Sequence, residues 1–133
     1  MLYVAVQAEA EERRFIDYTD GGSDILHYLE SWKRGGYFRA GFFTREEDAR
    51  EALFGAYLLD GKPYPTRGNA YLVAVRGLWA EEIITVPRGT DIMDTVLTYA
   101  DKNHVERFRV FNNKSGAKAF MTAYNSRRKG ATA

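Results

Sequence analysis

The chain has 133 residues, a formal net charge of +1, 45% hydrophobic and 14% aromatic residues, and no cysteine. That composition supports a packed core and excludes global disorder, and the near-zero charge means that any basic site has to be local. Disulfides, thiolate catalysis and cysteine-based zinc sites are excluded, and no apolar run approaches the ~20 residues of a membrane span, so the expectation is a soluble, cytoplasmic protein with no membrane partner.

Leu2–Ala8 is part alternating and part β-branched and reads as a strand, followed through the polar turn Glu9–Glu12 by a second strand over Arg13–Tyr18. Asp20-Gly21-Gly22 breaks the chain. Ser23 or Asp24 can cap the helix that follows, whose apolar face is Ile25, Leu26, Leu29 and Trp32 and whose end is Gly35-Gly36. Tyr37–Phe43 is a third strand, and Thr44-Arg45-Glu46-Glu47 is spaced as a capping box for a helix burying Ala49, Ala52, Leu53 and Ala56. Asp60-Gly61, two prolines and Gly68 mark a linker. The same order then returns: strands over Tyr71–Arg76 and Glu81–Val86, and a helix capped by Thr90 with Ile92, Met93, Val96, Leu97 and Ala100 on one face. A strand over Glu106–Phe111 and a helix over Ser115–Asn125 complete the order, the helix burying Ala117, Phe120, Met121 and Tyr124. Trp32, Leu53, Val96 and Met121 are each expected to be buried.

The segments themselves recur. Val4-Ala5-Val6 returns as Val73-Ala74-Val75, Ala10-Glu11-Glu12 as Ala80-Glu81-Glu82, and Ser23-Asp24-Ile25 as Thr90-Asp91-Ile92, while Arg39 and Ala49 find counterparts at Arg107 and Ala117. The offset is roughly 67 to 70 residues, and a fixed period of this kind sets an architecture. The expectation is an α+β fold of two tandem ββαβα repeats, each an antiparallel three-stranded sheet with two helices, packed together. The first unit spans 1–57, a linker 58–68, the second unit 69–125, and a flexible basic tail 126–133. A unit of about 60 residues is marginal alone, so the copies should pack face to face or join as one six-stranded sheet.

Little in the chain points to catalysis. His27 and His104 have no partner at metal-ligand spacing and read as surface histidines. Glu11 and Glu12 are adjacent, so on an extended segment they point to opposite sides and cannot serve one substrate face. A pairing of Glu12 with Glu82 would need the two units to meet there. Gly21-Gly22 precedes a helix, but Asp20 and Asp24 flank it and would repel a phosphate; Arg88-Gly89-Thr90 is the friendlier copy. No enzyme, cofactor or metal is expected.

The basic and aromatic residues carry more. Tyr37, Phe38, Arg39, Phe42 and Phe43 crowd one strand, and Arg107, Phe108, Arg109 and Phe111 crowd its counterpart. Alternation puts Arg39 on one face with Tyr37 and Phe43, and puts Arg107 and Arg109 together opposite Phe108. An open face of that kind is a stacking and guanidinium platform for nucleic acid. The alternative is that the aromatic residues fill the core and the arginines edge it. Lys114, Lys118, Arg127, Arg128 and Lys129 make the C-terminal region the most basic, which fits either a solvated end or phosphate contacts.

Three stretches resemble the hybrid-binding domain found at the N-terminus of many eukaryotic ribonucleases H and in viral viroplasmin proteins. They are the strands Tyr3-Val4-Ala5-Val6 and Tyr71-Leu72-Val73-Ala74-Val75-Arg76-Gly77; Phe38–Phe43 with Thr44-Arg45-Glu46-Glu47 and Ala49; and Phe108-Arg109-Val110-Phe111 with Ala117 and Phe120. The resemblance implies binding of RNA–DNA hybrids or double-stranded RNA through aromatic and basic side chains of the first hairpin and first helix. That family's glycine-rich turn and Tyr…Trp pair have no counterpart in the first unit, and only Gly77 and Trp79 approach them in the second.

The sequence therefore leads to a small non-enzymatic binding protein. It contacts RNA, hybrid or DNA through Tyr37, Arg39, Arg107, Arg109, Lys114, Lys118, Arg127, Arg128 and Lys129. The rival reading is a protein-binding inhibitor or adaptor, such as a phage or mobile-element protein acting against a host defence complex. A third class is a small-molecule pocket between the copies, lined by Tyr3, Phe42 and Tyr71.

Overall fold

The computed structural model describes residues 2–8, 13–19 and 22–132, with the side chains of Glu81 and of residues 127–132 outside that description. The turn over 9–12, with its Glu11 and Glu12, and Asp20 and Gly21 therefore lie outside the described residues. The chain is α+β. The elements are β1 (Leu2–Ala8), β2 (Arg14–Thr19), β3 (Ser23–Asp24), α1 (Leu26–Arg34), β4 (Tyr37–Phe43) and α2 (Glu46–Phe54) in the first half. β5 (Asn69–Arg76), β6 (Trp79–Pro87), α3 (Met93–Lys102), β7 (Arg107–Phe111) and α4 (Lys114–Thr132) form the second.

There are two antiparallel sheets rather than one continuous one: β2-β1-β4, and β3-β7-β5-β6. In each half the opening strand is central, flanked by its hairpin partner and by the strand that follows the first long helix. One apolar cluster joins the inner faces of both sheets (Val4, Val6, Phe42; Leu72, Ala74, Phe108) to α1 and α3, through Leu26, Leu29, Met93 and Val96. On the outer face of the first sheet α2 packs Ala49, Ala52 and Leu53 against Ala5 and Phe43. Ala117 of α4 does the same for the second sheet against Val73 and Val75.

Strand pairing corrects the alignment of the halves. Tyr3 faces Phe43 and Tyr71 faces Phe111, while Ala40 and Phe108 are the buried third-strand residues, so the strands correspond at an offset of 68. Val4-Ala5-Val6 therefore matches Leu72-Val73-Ala74, one residue short of the Val-Ala-Val match. A one-residue slip exchanges the two faces of a strand. Val4 and Val6 point to the shared core, whereas Val73 and Val75 point to α4.

The halves hold each other by a reciprocal exchange. The segment before α1 bonds to β7: Gly22 N–H donates to Val110 C=O (2.6 Å) and Ile25 N–H to Phe108 C=O (2.8 Å). The segment before α3 does the same to β4, with Gly89 N–H donating to Phe42 C=O (3.1 Å) and Ile92 N–H to Ala40 C=O (2.7 Å). A carboxylate sits at each crossing. Asp24 Oδ1 accepts from Leu26 and Phe108 N–H (both 3.2 Å), and Asp91 Oδ1 accepts from Met93 (3.1 Å) and Ala40 (2.9 Å). Each thus serves the first turn of its own helix and the third strand of the other half.

Several local expectations change. Asp91, not Thr90, accepts the first-turn N–H of α3; the Thr90 hydroxyl donates to Pro87 C=O. Thr44 and Glu47 form no capping box, because α2 begins after an extended Arg45 whose guanidinium bonds Glu47 instead. The stretch between the halves is packed, with Leu58 and Tyr64 buried against Phe43 and Ala52 and Tyr64 N–H bonded to Gly89 C=O. α4 continues through Thr132, past the expected end at Asn125. Leu53 and Val96 are buried as expected, but Trp32 and Met121 are only half-buried.

Candidate functional site

The arginines expected to form an open platform are engaged inside the fold. Arg39 bonds Asp91 across the two halves (Nη1 to Oδ2, 3.1 Å), and its side chain is 31% exposed. Arg107 donates to the Tyr124 hydroxyl of α4 (2.9 Å), and Arg109 to Gly22 C=O (3.1 Å). Arg107 and Arg109 do lie opposite buried Phe108, but theirs is the face that α4 covers. Tyr37 does not share the face of Arg39. An irregularity in the β1–β4 pairing between Gln7 and Ala8 sets Ala8 opposite Tyr37 and turns that ring to the inner side, edge-on to Phe15 (5.2 Å). A bulge of this kind re-aims every side chain beyond it. Lys114 and Lys118 are exposed on α4, and the side chains of Arg127, Arg128 and Lys129 lie outside the described residues.

The third class of site does not assemble. Phe42 is in the shared core, whereas Tyr3 and Tyr71 pack on the two outer faces, so the three cannot line one cavity. His27 and His104 are exposed, and the described residues hold no group of three potential metal ligands. No described helix is long and apolar enough to cross a membrane.

Two tyrosines show strong electrostatic coupling. The Tyr64 hydroxyl donates to Glu51 (2.7 Å); that bond, reinforced by burial and by the Glu51 charge, pushes its phenol up to about 12. Burial, then a hydrogen bond to Glu82, raises the phenol of Tyr99, opposed by Arg76. Both couplings tie elements together, Tyr64 to α2 and Tyr99 of α3 to β6.

Exposed rings stand at Tyr18 and Tyr28, and on α2 at Phe54. Along β2 and α1 a row of rings runs from Tyr37 to Phe15 (5.2 Å), Trp32 (5.7 Å from Phe15) and Tyr28 (5.9 Å from Trp32). The Arg13 guanidinium lies over Tyr37 at 4.8 Å and donates to Gly35 C=O. Tyr28 is 50% and Tyr18 63% exposed, a large apolar area left in water. Between them opens a cavity of about 90 Å³ lined by Val4, Asp17, Tyr18, Ile25, Tyr28 and Trp32. The i, i+4 spacing of Tyr28 and Trp32 puts both on one side of α1, and Trp32, expected in the core, stands half-buried at its edge. Among the described residues of β2 and α1, Asp17 is the carboxylate that lines the cavity.

No protein-family model, curated protein or solved structure matches this chain.

Proposed function

We propose that this chain is a non-enzymatic protein-binding module, an adaptor or inhibitor, whose contact face is the aromatic row on β2 and α1. The observation that carries the reading is the row itself: Phe15, Trp32 and Tyr28 lead to a cavity at the sheet edge, and aromatic anchors beside a pocket are where binding energy concentrates in protein interfaces. The Asp17 carboxylate in the cavity lining disfavours a phosphate there, and the arginines of the matching third strands are held by Asp91, Tyr124 and Gly22. A photo-crosslinking residue placed at Tyr28 or Tyr18 tests this in cells. The same protein partner should be captured from both positions, not from Phe54 on α2, and should be lost when Trp32→Ser is added. Capture that is equal at all three positions would sink the reading.

One observation favours nucleic acid as a second reading: Lys114 and Lys118 are exposed one turn apart on α4. Titration with single-stranded DNA, duplex DNA, double-stranded RNA and hybrid at several salt concentrations decides it. Salt-sensitive binding that Lys114→Glu with Lys118→Glu abolishes would establish that reading.

A further inference from the structure

We infer that β2 accepts an extended segment of a partner protein as a fourth strand of the first sheet, one apolar side chain of the segment entering the cavity beside Tyr28 and Trp32 and a basic one facing Asp17. The inference rests on the protein-binding reading and specifies the shape and chemistry of what binds.

Two of the four sheet edges are used within the chain: β3 covers β7, and the backbone over 89–92 covers β4. The edges that remain are β2 and β6, and they differ. β6 is blunted, since its pairing with β5 is irregular between Ala74 and Val75, and the Asn125 side chain of α4 bonds both the N–H and the C=O of Ala80. Bulges and covering groups are how sheet edges are protected from added strands. β2 carries no bulge, and among the described residues the group that covers its backbone is the Asp17 carboxylate at Tyr18, at one end of the strand. Its pairing with β1 is regular over all six residues, and no described residue pairs with its other side.

The backbone of β2 is correctly presented. Ala8 N–H donates to Arg13 C=O, and antiparallel partners alternate, so Arg13, Phe15 and Asp17 face β1 while Arg14, Ile16 and Tyr18 face outward. The Tyr18 N–H is taken by the Asp17 carboxylate (2.8 Å), leaving Arg14 and Ile16 at the centre of the edge as the docking rungs. Main-chain bonds of this kind supply affinity in strand addition, and pockets for alternate side chains supply specificity. Here the inner face of an added strand lies next to Phe15 and Asp17, over the cavity between β2 and α1. An apolar residue fits the aromatic lining, and a lysine or arginine next to it complements the Asp17 carboxylate in that lining.

The test is a selection of random twelve-residue peptides displayed on phage against the full chain, followed by fluorescence anisotropy with the enriched peptides. Ile16→Pro removes one outward N–H without touching the β1 ladder, a position where an edge strand tolerates proline. Its far-ultraviolet circular dichroism should match the parent. Enriched peptides should share alternating apolar positions with a basic residue. They should lose about tenfold or more in affinity on Ile16→Pro and on N-methylation of the amides that face β2, but not of the intervening ones. Asp17→Lys, which leaves the ladder whole, should shift the selection toward acidic peptides. Peptides that depend on Tyr28 yet bind Ile16→Pro unchanged would overturn strand addition while leaving the aromatic contact face standing. Failure of any peptide to enrich would also overturn it. A concentration-dependent dimer in sedimentation that Ile16→Pro dissolves would assign the edge to a second copy and overturn the partner segment.

Discussion

Replacing Asp91 with alanine should destabilise the protein more than the matching change at Asp24. Asp91 accepts two backbone N–H bonds at 2.9 and 3.1 Å and an Arg39 pair at 3.1 Å, and it is only 18% exposed. Alanine would leave the N–H of Ala40, a residue with no exposure, without a partner. Hydrogen bonds to a charged acceptor contribute about 1.5–3 kcal/mol each, and a partly exposed ion pair about 0.5 kcal/mol, so a loss of about 3.5–6.5 kcal/mol is expected. Asp24 makes two longer bonds at 3.2 Å through one oxygen and holds no ion pair among the described residues, so Asp24→Ala should cost about 3 kcal/mol, the low end for two such bonds. Asp91→Asn keeps one acceptor oxygen and should fall between the parent and the alanine variant. The assay is urea denaturation followed by far-ultraviolet circular dichroism and by tryptophan fluorescence, reading midpoint shifts at constant slope. Because each carboxylate secures the other half's third strand, both probes should report one cooperative transition. The reasoning fails if Asp91→Ala costs no more than Asp24→Ala, or if the two halves melt separately.

Leu53→Ala removes a side chain that is 2% exposed between α2 and the first sheet, and should cost about 2–5 kcal/mol in the same assay; the half-buried Met121→Ala should cost clearly less. Equal shifts would mean that α4 packs more tightly than its exposure indicates. Tyr64 provides a pH-dependent signal. Its folded phenol titrates at about 12 against an ordinary value of about 10, so the neutral hydroxyl is favoured in the fold. That contribution is fully present below pH ~10 and is lost as pH rises toward ~12, so stability should fall across that window. Absorbance titration at 295 nm should show Tyr64 ionising late, and Tyr64→Phe should remove that step and its share of the pH dependence while the raised Tyr99 remains.

Element order was readable from the sequence because local chemistry controls it. β-branched and aromatic runs, glycine stops at Gly35-Gly36 and the recurring Ser/Thr-Asp-Ile segments mark strands and helix starts, and the α+β architecture follows from them. Pattern matching failed where the answer depends on a single residue of register. Val-Ala-Val recurs by composition, but pairing with β4 and β7 sets the true match one position away, and only the inter-strand hydrogen bonds carry that information. Tyr37 was misplaced for a related reason. A bulge between Gln7 and Ala8 arises between two strands, so the alternation of either strand alone cannot announce it.

The arginines show the deeper limit. Arg39, Arg107 and Arg109 look alike as basic residues on aromatic strands, and nothing local distinguishes a free guanidinium from one held by a residue 52, 17 or 87 positions away. The same holds for Asp24 and Asp91. The sequence marks both as helix-start residues, because an Asx side chain reaches the N–H groups just after it. Their second role, receiving an N–H from the opposite half, exists only once the halves have exchanged segments. By itself the sequence determined the class of fold, the order of its elements and the absence of cysteine chemistry, all properties of neighbouring residues. Tertiary structure alone decided which faces meet, which charges are spent in holding them together, and that no described strand pairs with the outer side of β2 at Arg14 and Ile16. Those outcomes depend on the relative placement of segments far apart in the chain, which long-range burial and hydrogen bonding select and local pattern does not encode.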